Sequence, residues 1–399
     1  MVDEKLQLNM PPKFEIVDFG RYIRFCLYVT LICNFFILLG NPLQNDFMVS
    51  WATRLLILSV FAVSVLAVIK LLRRSLIEVA DICFLAVIGL SAIRMLMGGV
   101  SGIQTAAVPY LCFVMLPGYI VLYRRANNIS RLKATVYVAN VFYTVVYIYL
   151  RLTGKAFIYY GPYGSVTISE LTLGYGNPNE TAMYLMLSFF IMLSAVFAAK
   201  KRWQRRGSFL LSGVLCYLLW ETECRTCIVL AAVVLILTVF KFLPRLKEGA
   251  RLVAFLIPLV SLILVRVIPD ILTELTFMGD VVDTGRYQVF DQLFSNLTAY
   301  SFLFGDVVGY AGTNMHNSYL SLLAMFGILT TIMYVMFLSA SLKAYCQKLS
   351  DSPSYVAYAG VLAVIVHGAA EAALIISGTV YAGMAGLLFL LMIPEETNT

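Results

Sequence analysis

Charged residues are scarce in this chain of 399 residues. Lysine, arginine, aspartate and glutamate together make up 13% of it, whereas a soluble domain carries about 25%. No polar block is long enough to fold as a separate soluble domain. Hydrophobic residues make up 61% of the chain, and the mean hydropathy is +0.86. These values exclude an ordinary soluble enzyme and indicate that lipid is the main solvent.

Residues able to bind a metal are also few. The chain has two histidines, His316 and His367, and eight cysteines, most of which fall within apolar runs. Cys224 and Cys227 form a C-x-x-C pair, which is compatible with redox activity or with half of a metal site. A structural zinc site takes about four ligands. We therefore predict no metal and no cofactor, and we interpret the cysteines mainly as small buried hydrophobes.

Apolar runs recur along the chain at the length of a membrane span, about 20 residues. We count about twelve and predict an all-α, polytopic transmembrane helical bundle in which residues 1–399 form a single integral membrane domain. No cleavage pattern follows the first run, so we interpret it as a permanent span rather than a signal peptide. The predicted spans are residues 22–39, 51–70, 76–97, 104–123, 132–150, 181–199, 208–221, 226–242, 252–269, 317–340, 355–375 and 378–393.

Basic residues are unevenly distributed between the two sides of the predicted bundle. With the N-terminus in the cytoplasm, most of the 29 basic residues fall in cytoplasmic segments, and the positive-inside rule then predicts that both termini are cytoplasmic. The net charge of +7 needs no nucleic-acid partner, because the basic residues lie at the membrane edges. Arg54, Arg151 and Lys155 lie against this bias, and we expect each to pair with an acidic side chain.

Two of the predicted outer loops are long, at residues 151–180 and 270–316. Loops of this length usually carry function or are disordered, and we expect both of these to be ordered. In the second loop, apolar residues at positions 289, 290, 293, 294 and 297 have helical spacing. We predict a short amphipathic helix there, on the outer membrane surface with its apolar face toward lipid. Asp283 or Thr284 would cap its start.

Arg286 would lie in the first turn of that helix. A helix N-terminus favours an anion, and a guanidinium adds a fixed charge with bidentate geometry. Pairing of Arg286 with a nearby carboxylate, Asp280 or Asp283, explains it equally well.

Histidine 316 and Arg225 also map to helix starts on the same predicted side. Thr313 or Asn314 can cap the span after the second loop, which places His316 in its first turn. A helix N-terminus disfavours a charged imidazole, so we expect His316 to be neutral and able to accept a proton. A histidine that only caps or hydrogen-bonds at the interface is the simpler interpretation of His316 alone.

Arg225 follows a short outer turn in which Thr222 can cap the next span. The three helix starts carry Arg225, Arg286 and His316. If these helix starts converge, they would hold a diphosphate at the bilayer surface. Convergence is a hypothesis at this point, because sequence contains no distances.

Ionisable residues inside predicted spans are functional candidates. Asp81 and Arg94 share one span but are too far apart to pair, so we expect each to pair with another helix. His367 and Glu371 are spaced i and i+4 and would share one helix face, where they form either a proton relay or a structural polar pair.

Several short motifs follow one another along the chain. They are Gly176-Asn177-Pro178-Asn179-Glu180-Thr181-Ala182, Cys224-Arg225-Thr226, Gly285-Arg286-Tyr287, the Phe304-Gly305 turn and, within Gly309 through Gly327, His316-Asn317-Ser318-Tyr319-Leu320 and Met325-Phe326-Gly327. In this order and spacing they resemble motifs of the O-antigen ligase/polymerase family of bacterial envelope enzymes. The clear matches cover about a third of the chain, and the rest is similar in topology. Cys224 stands where the family has serine, and a thiol is a weaker hydrogen-bond donor.

The resemblance implies a metal-independent membrane glycosyltransferase. It would polymerise undecaprenyl-diphosphate-linked oligosaccharide repeat units for O-antigen, capsule or exopolysaccharide, on the outer face of the bacterial cytoplasmic (inner) membrane. The implied partners are the lipid-linked glycan, the bilayer, a flippase and a chain-length regulator protein.

The resemblance also assigns roles to single residues. His316 would be the general base toward the acceptor hydroxyl. The diphosphate and substrate would be bound by Arg225, Arg286, Asn317 and Tyr319, with secondary candidates at Asn177 and Asn179. His367 and Glu371 are further secondary candidates because they are ionisable residues within a predicted span.

Two other functions are compatible with the sequence. A ligase of the same family would move a finished glycan to another acceptor, and the shared motifs do not separate it from a polymerase. A lipid-linked oligosaccharide flippase would account for the spans and the intramembrane charges. It would not account for Arg225, Arg286 and His316 on one side, since an alternating-access transporter places its site near the bilayer midplane.

Overall fold

The computed structural model of this chain consists mainly of α-helices. It describes residues 19–40, 45–73, 77–124, 129–154, 157–163, 166–173, 175, 178–242, 244, 249–267, 276–277, 280–281, 286–310, 313, 315–347, 349, 351–372, 374 and 379–393.

The described elements are helices with two short β-hairpins between them. In chain order they are α1 (Phe19–Gly40), α2 (Asp46–Leu72), α3 (Val79–Met97), α4 (Gly99–Arg124), α5 (Ile129–Leu152), β1 (Phe157–Tyr163), β2 (Val166–Leu171), α6 (Pro178–Ala198), α7 (Arg202–Glu221), α8 (Arg225–Val239), α9 (Ala250–Val267), β3 (Thr276–Phe277), β4 (Asp280–Val281), α10 (Arg286–Asn296), α11 (Ala299–Phe304), α12 (Val307–Tyr310), α13 (Ser318–Cys346), α14 (Ser352–Ala370) and α15 (Thr379–Met392).

Seven of the described helices are long and apolar enough to cross a membrane. They are Asp46–Leu72, Val79–Met97, Ala106–Arg124, Ile129–Leu152, Pro178–Ala198, Ser318–Cys346 and Ser352–Ala370. Shorter apolar helices cover Arg24–Ile37, Arg225–Val239, Leu252–Ile263 and Val380–Met392. The prediction of a helical membrane protein is therefore confirmed. A helix covers most of each predicted span range, while the number of membrane crossings stays a prediction.

The long helices divide into central and peripheral ones. In the apolar 18-residue stretch of α6, 83% of the residues are buried inside the protein, whereas in the corresponding stretches of α3 and α5 only 33% are. The exposed faces of the peripheral helices carry large apolar side chains such as Leu55, Leu58 and Phe61 of α2. Such faces are stable against hydrocarbon rather than water, so the outer helices provide the lipid-facing surface.

Asp81 and Arg94 each have a partner outside α3: Asp81 pairs with helix α4, as expected, whereas the charged partner of Arg94 lies in the turn between α11 and α12. The Arg124 guanidinium at the end of α4 lies 2.6 Å from the Asp81 carboxylate and 3.0 Å from that of Glu78. At the other end of α3, Arg94 lies 3.9 Å from Asp306 and stacks on the Tyr300 ring. A charge is tolerated in a bundle when it is paired in this way.

Two of the three residues expected to pair with an acid at the outer side are described. Arg151 makes two hydrogen bonds of 2.8 Å to the Glu221 carboxylate, which joins the ends of α5 and α7. Arg54 stacks instead on the Trp51 ring, 5.7 Å from its centroid. Lys155 lies outside the described residues.

Helix α13 is broken at Gly327, where the segment between α11 and α12 crosses it. Gly327 has φ +82° and Gly305 has φ +79°, conformations that favour glycine. A Cβ at Gly305 would collide with the Met325 carbonyl, and a Cβ at Gly327 with the Leu303 carbonyl. The Asp306 N–H donates to the Ala324 carbonyl at 2.7 Å. The break therefore leaves that carbonyl paired although it lies within a long apolar helix.

The two long segments between spans contain regular structure. Strands β1 and β2 form an antiparallel hairpin within residues 151–180, and β3 and β4 form a very short one within residues 270–316. Helix α10 covers the predicted amphipathic helix. Its predicted caps, Asp283 and Thr284, lie outside the described residues.

Candidate functional site

Helix α13 begins with an asparagine cap. The side-chain oxygen of Asn317 accepts hydrogen bonds of 2.9 Å from the N–H groups of the second and third residues after it. Asparagine is a preferred N-cap because it satisfies donors that the first helical turn leaves free. The prediction that Thr313 or Asn314 caps this helix is therefore wrong, and Asn314 itself lies outside the described residues. His316 precedes the helix instead of lying in its first turn.

The start of α13 is tied to the end of α14. The Asn317 side-chain amide donates to the Ala369 carbonyl at 2.9 Å, and the Ser318 hydroxyl donates to the Glu371 carbonyl at 2.7 Å. The Ser318 oxygen also accepts from the Leu374 N–H at 3.3 Å. These bonds satisfy carbonyls that a helix C-terminus leaves unpaired, and they hold the two chain segments in one register.

His316 and Glu371 meet at this junction. The His316 Nδ1 lies 3.3 Å from the Glu371 Oε2. The His316 side chain is 32% exposed, whereas that of Glu371 is 9% exposed. Histidine 316 is thus the accessible member of a pair whose carboxylate is held inside the protein.

Glu371 is not on a helix face with His367. Helix α14 ends at Ala370, and Glu371 adopts an extended conformation (φ −144°, ψ 148°) as its C-cap. The prediction that His367 and Glu371 share one helix face is wrong, because the helix ends one residue too early for it.

His367 connects α14 with two other helices. It is fully buried, with Nδ1 3.0 Å from the Tyr381 hydroxyl of α15 and Nε2 3.5 Å from the Cys227 sulfur of α8. A buried histidine with partners on both ring nitrogens positions neighbouring helices. It places the first turn of α8 against the end of α14.

Arg225 is the first residue of α8. Its helix is capped by Cys224, while Thr222 is the C-cap of α7, which corrects the prediction that Thr222 caps α8. The Thr222 hydroxyl donates to the Leu219 carbonyl at 2.7 Å and accepts from the Cys224 N–H at 3.4 Å. Arg225 is half-buried and precedes by two positions the cysteine that contacts His367.

Helix α10 begins at Arg286, whose side chain lies outside the described residues. The apolar face of α10 packs against the protein: Leu293 is buried in a cluster with Met315 and Leu320, and Val289 packs on this cluster. The expectation that this face points to lipid is therefore wrong. Val289 lies about one helical turn from Arg286, so the start of α10 is held near the residue before His316.

The other predicted substrate contacts have different surroundings. Tyr319 is fully buried, and its hydroxyl donates to the Ile365 carbonyl of α14 at 2.9 Å. Asn317 is also fully buried, so both side chains fix α13 against α14. Asn179 is half-buried in the first turn of α6, and Asn177 lies outside the described residues.

An apolar groove of about 580 Å³ lies between α6, α7 and α8. Its walls include Phe189 of α6, Trp220 of α7 and Ile228 of α8. Trp220 is one residue from the end of α7, and the turn that follows leads to Arg225. The groove therefore reaches the end of the bundle at which α8 begins.

The pairing of Glu371 with His316 was not predicted from the sequence. A carboxylate in a predicted span was a signal of function, but helical spacing pointed to the wrong histidine. Among the described residues, no group of three or more histidine, cysteine, aspartate or glutamate side chains is arranged to hold a metal ion.

Comparison with known proteins gives no match: no family model, no curated protein and no solved structure is similar to this chain at a significant level.

Proposed function

We propose that this chain is a membrane glycosyltransferase that polymerises undecaprenyl-diphosphate-linked oligosaccharide repeat units. In this proposal it crosses the bacterial cytoplasmic membrane about twelve times with both termini in the cytoplasm. The site lies at the outer face, where a flippase delivers the lipid-linked units and a chain-length regulator acts with the polymerase.

The observation that carries the proposal is the junction of α13 with α14. It presents His316 at the surface of an otherwise apolar bundle, with Glu371 3.3 Å away. His367 packs the start of α8, and with it Arg225, against the same end of α14. A base and a cation at one end of the bundle are what transfer from a lipid diphosphate requires.

The proposed reaction is a group transfer. The unprotonated ring nitrogen of His316 accepts the proton of the acceptor hydroxyl. The acceptor oxygen forms a bond to the anomeric carbon of the donor glycan, while the bond from that carbon to the diphosphate oxygen breaks. The electron pair leaves with undecaprenyl diphosphate, so one lipid diphosphate is released for each glycosidic linkage.

The leaving group is a dianion or more, and it gains charge as the bond breaks. Arg225 and Arg286 each begin a helix, where backbone N–H groups already favour an anion. A guanidinium adds charge-assisted hydrogen bonds to phosphate oxygens. In the proposal these two residues stabilise the diphosphate in the transition state more than in the bound substrate.

The groove between α6, α7 and α8 suits the polyisoprenyl chain of the same substrate. Its apolar walls continue from the turn before Arg225. A branched hydrocarbon in this groove would place its diphosphate beside that turn. Binding energy from the lipid chain would then orient the reacting end of the substrate.

The test is an elongation assay in proteoliposomes with a lipid-diphosphate-linked repeat unit. Wild type should produce a ladder of longer glycans. His316→Ala should lower kcat by about 10²- to 10⁴-fold, and Arg286→Ala by about 10²- to 10³-fold. Arg54→Ala removes an arginine that stacks on Trp51 and should leave the ladder unchanged.

Other outcomes of this assay would reject the proposal. Transfer of glycan to an added non-identical acceptor, without a ladder, would identify a ligase. Movement of labelled lipid across the bilayer with unchanged glycan would identify a transporter.

A further inference from the structure

We propose that Glu371 is the residue that positions His316 for proton transfer. The inference rests on the proposed function, because it assigns a task to Glu371 within the same reaction. The tautomer of the His316 ring that this role requires is measurable without turnover.

The geometry of the pair fits this task. Nδ1 of His316 is 3.3 Å from Oε2 of Glu371, and the carboxylate is the more buried partner. An ionised carboxylate accepts hydrogen bonds and donates none. The hydrogen bond therefore selects the tautomer with the proton on Nδ1, and in that tautomer Nε2 is the basic nitrogen of the ring.

The backbone of Glu371 is fixed independently of its carboxylate. Its carbonyl accepts from Ser318, and its N–H donates to the His367 carbonyl at 2.9 Å. On the other side, Asn317 is bonded to Ala369. Both residues of the pair are thus adjacent to residues that join α13 to α14, which limits the distance between their side chains.

His316 has a backbone conformation, with φ +45°, that residues other than glycine seldom adopt. Histidine is among the residues found there more often than most. Such a conformation persists when surrounding contacts impose it. Here it turns the chain immediately before the Asn317 cap, and the ring then reaches the Glu371 carboxylate.

The helices packed at this end carry other ionisable groups. They are His367 on α14, Cys227 on α8 and Tyr381 on α15, and Arg225 begins α8. His367 is held between Tyr381 and Cys227. These contacts support the end of α14 that carries Glu371. Glu371 also stabilises the imidazolium that forms when His316 accepts the proton, as an orienting carboxylate does in a catalytic triad.

The first test is kinetic. Glu371→Gln should lower kcat by up to about 10⁴-fold, as the amide variant of a triad carboxylate does, with little change in KM, and Glu371→Asp should recover part of the loss. Both variants keep the main-chain bonds of residue 371 and should fold. Asp351→Asn is the matched control: Asp351 caps the opposite end of α14, and asparagine caps equally well, so its kcat should equal that of wild type.

The second test observes the ring directly. Because the chain has two histidines, ¹⁵N-histidine labelling gives two pairs of ring signals, and His316→Ala assigns them. We expect the proton of neutral His316 on Nδ1 in wild type and a mixture of both tautomers in Glu371→Ala, with His367 unchanged.

Three results would overturn the assignment. The first is a kcat of Glu371→Gln equal to that of wild type. The second is an inactive Glu371→Gln whose activity Glu371→Asp does not restore, as expected if Glu371 were itself the base. The third is a His316 tautomer in Glu371→Ala that is the same as in wild type. Absence of elongation by wild type would instead reject the proposed function, and the tautomer measurement would still decide the role of Glu371.

Discussion

Asn317 performs two tasks with one side chain. Its oxygen caps α13, and its amide donates to the Ala369 carbonyl of α14. The residue is fully buried, so any group left without a partner after substitution is also shielded from water. Loss of this side chain removes both a cap and an interhelical bond.

Asn317→Ala should therefore destabilise the protein more than loss of an ordinary cap. We expect about 1 kcal/mol from the cap and a further 1–3 kcal/mol, roughly, from the carbonyl left unpaired. The measurement is the free energy of unfolding in detergent. Asn45→Ala is the control, since Asn45 caps the exposed start of α2 through one 3.0 Å bond. Equal losses of unfolding free energy in Asn317→Ala and Asn45→Ala would contradict the two tasks of Asn317.

At the residue scale, the sequence predicted His316 as a candidate site residue but predicted neither its partner Glu371 nor the cap that follows it. Thr313, Asn314 and Asn317 are all good N-caps, and local preference does not choose among them. The choice falls on Asn317 because only tertiary structure supplies the Ala369 carbonyl as a second partner. For the same reason the partner of Glu371 could not be identified from helical spacing.

The crossing at Gly327 and Gly305 brings the Phe304-Gly305 turn into contact with the Met325-Phe326-Gly327 motif. It ties α11 and α12, which precede the junction, to the first half of α13. Burial of the Tyr310 side chain and, secondly, the negative charge of Asp306 raise the pKa of Tyr310 in α12, so its phenol stays neutral. The site is thus supported from both sides of His316.

Gly327→Ala should be strongly destabilising. The new Cβ would collide with backbone atoms of Leu303 and Phe304, and alanine is strained at φ +82°. Gly89→Ala is the matched control, because a Cβ at Gly89 in α3 meets nothing within 4 Å and alanine stabilises a helix interior by about 0.5–1 kcal/mol. Thermal unfolding of both variants checks this, and a stable Gly327→Ala protein would contradict the crossing.

The groove can be tested by filling it. Gly213 lines it and has open space around the position of a Cβ. Gly213→Leu should raise KM for the lipid-linked unit because the side chain occupies the place of the isoprenoid chain. Gly207→Leu is the control on the same helix, with open space but outside the groove lining. Equal KM values for the two variants would show that the lipid chain binds elsewhere.

At the element scale, the sequence predicted helices well and interruptions poorly. Apolar runs of span length form helices because hydrocarbon leaves the backbone no other partners. The break at Gly327 lies between residues that favour helix, and it follows from the close approach of Leu303. The direction of the apolar face of α10 likewise depended on a tertiary partner, the cluster around Met315.

At the scale of the whole molecule, charged pairs that involve α3 lie near both of its ends. Asp81 and Arg124 pair at one end, and the Arg94–Asp306 pair lies at the other, next to the crossing. The charge bias of the connecting segments predicts which end is cytoplasmic. The proposed site lies at the end that this bias predicts to face outward.

The central claim is a transfer that releases undecaprenyl diphosphate. The most direct measurement is the ratio of lipid diphosphate released to glycosidic linkages formed, in proteoliposomes of wild type and His316→Ala. The account predicts one released lipid diphosphate per linkage in wild type and neither product above background in the variant. Lipid that crosses the bilayer with its glycan intact and no diphosphate released would contradict it.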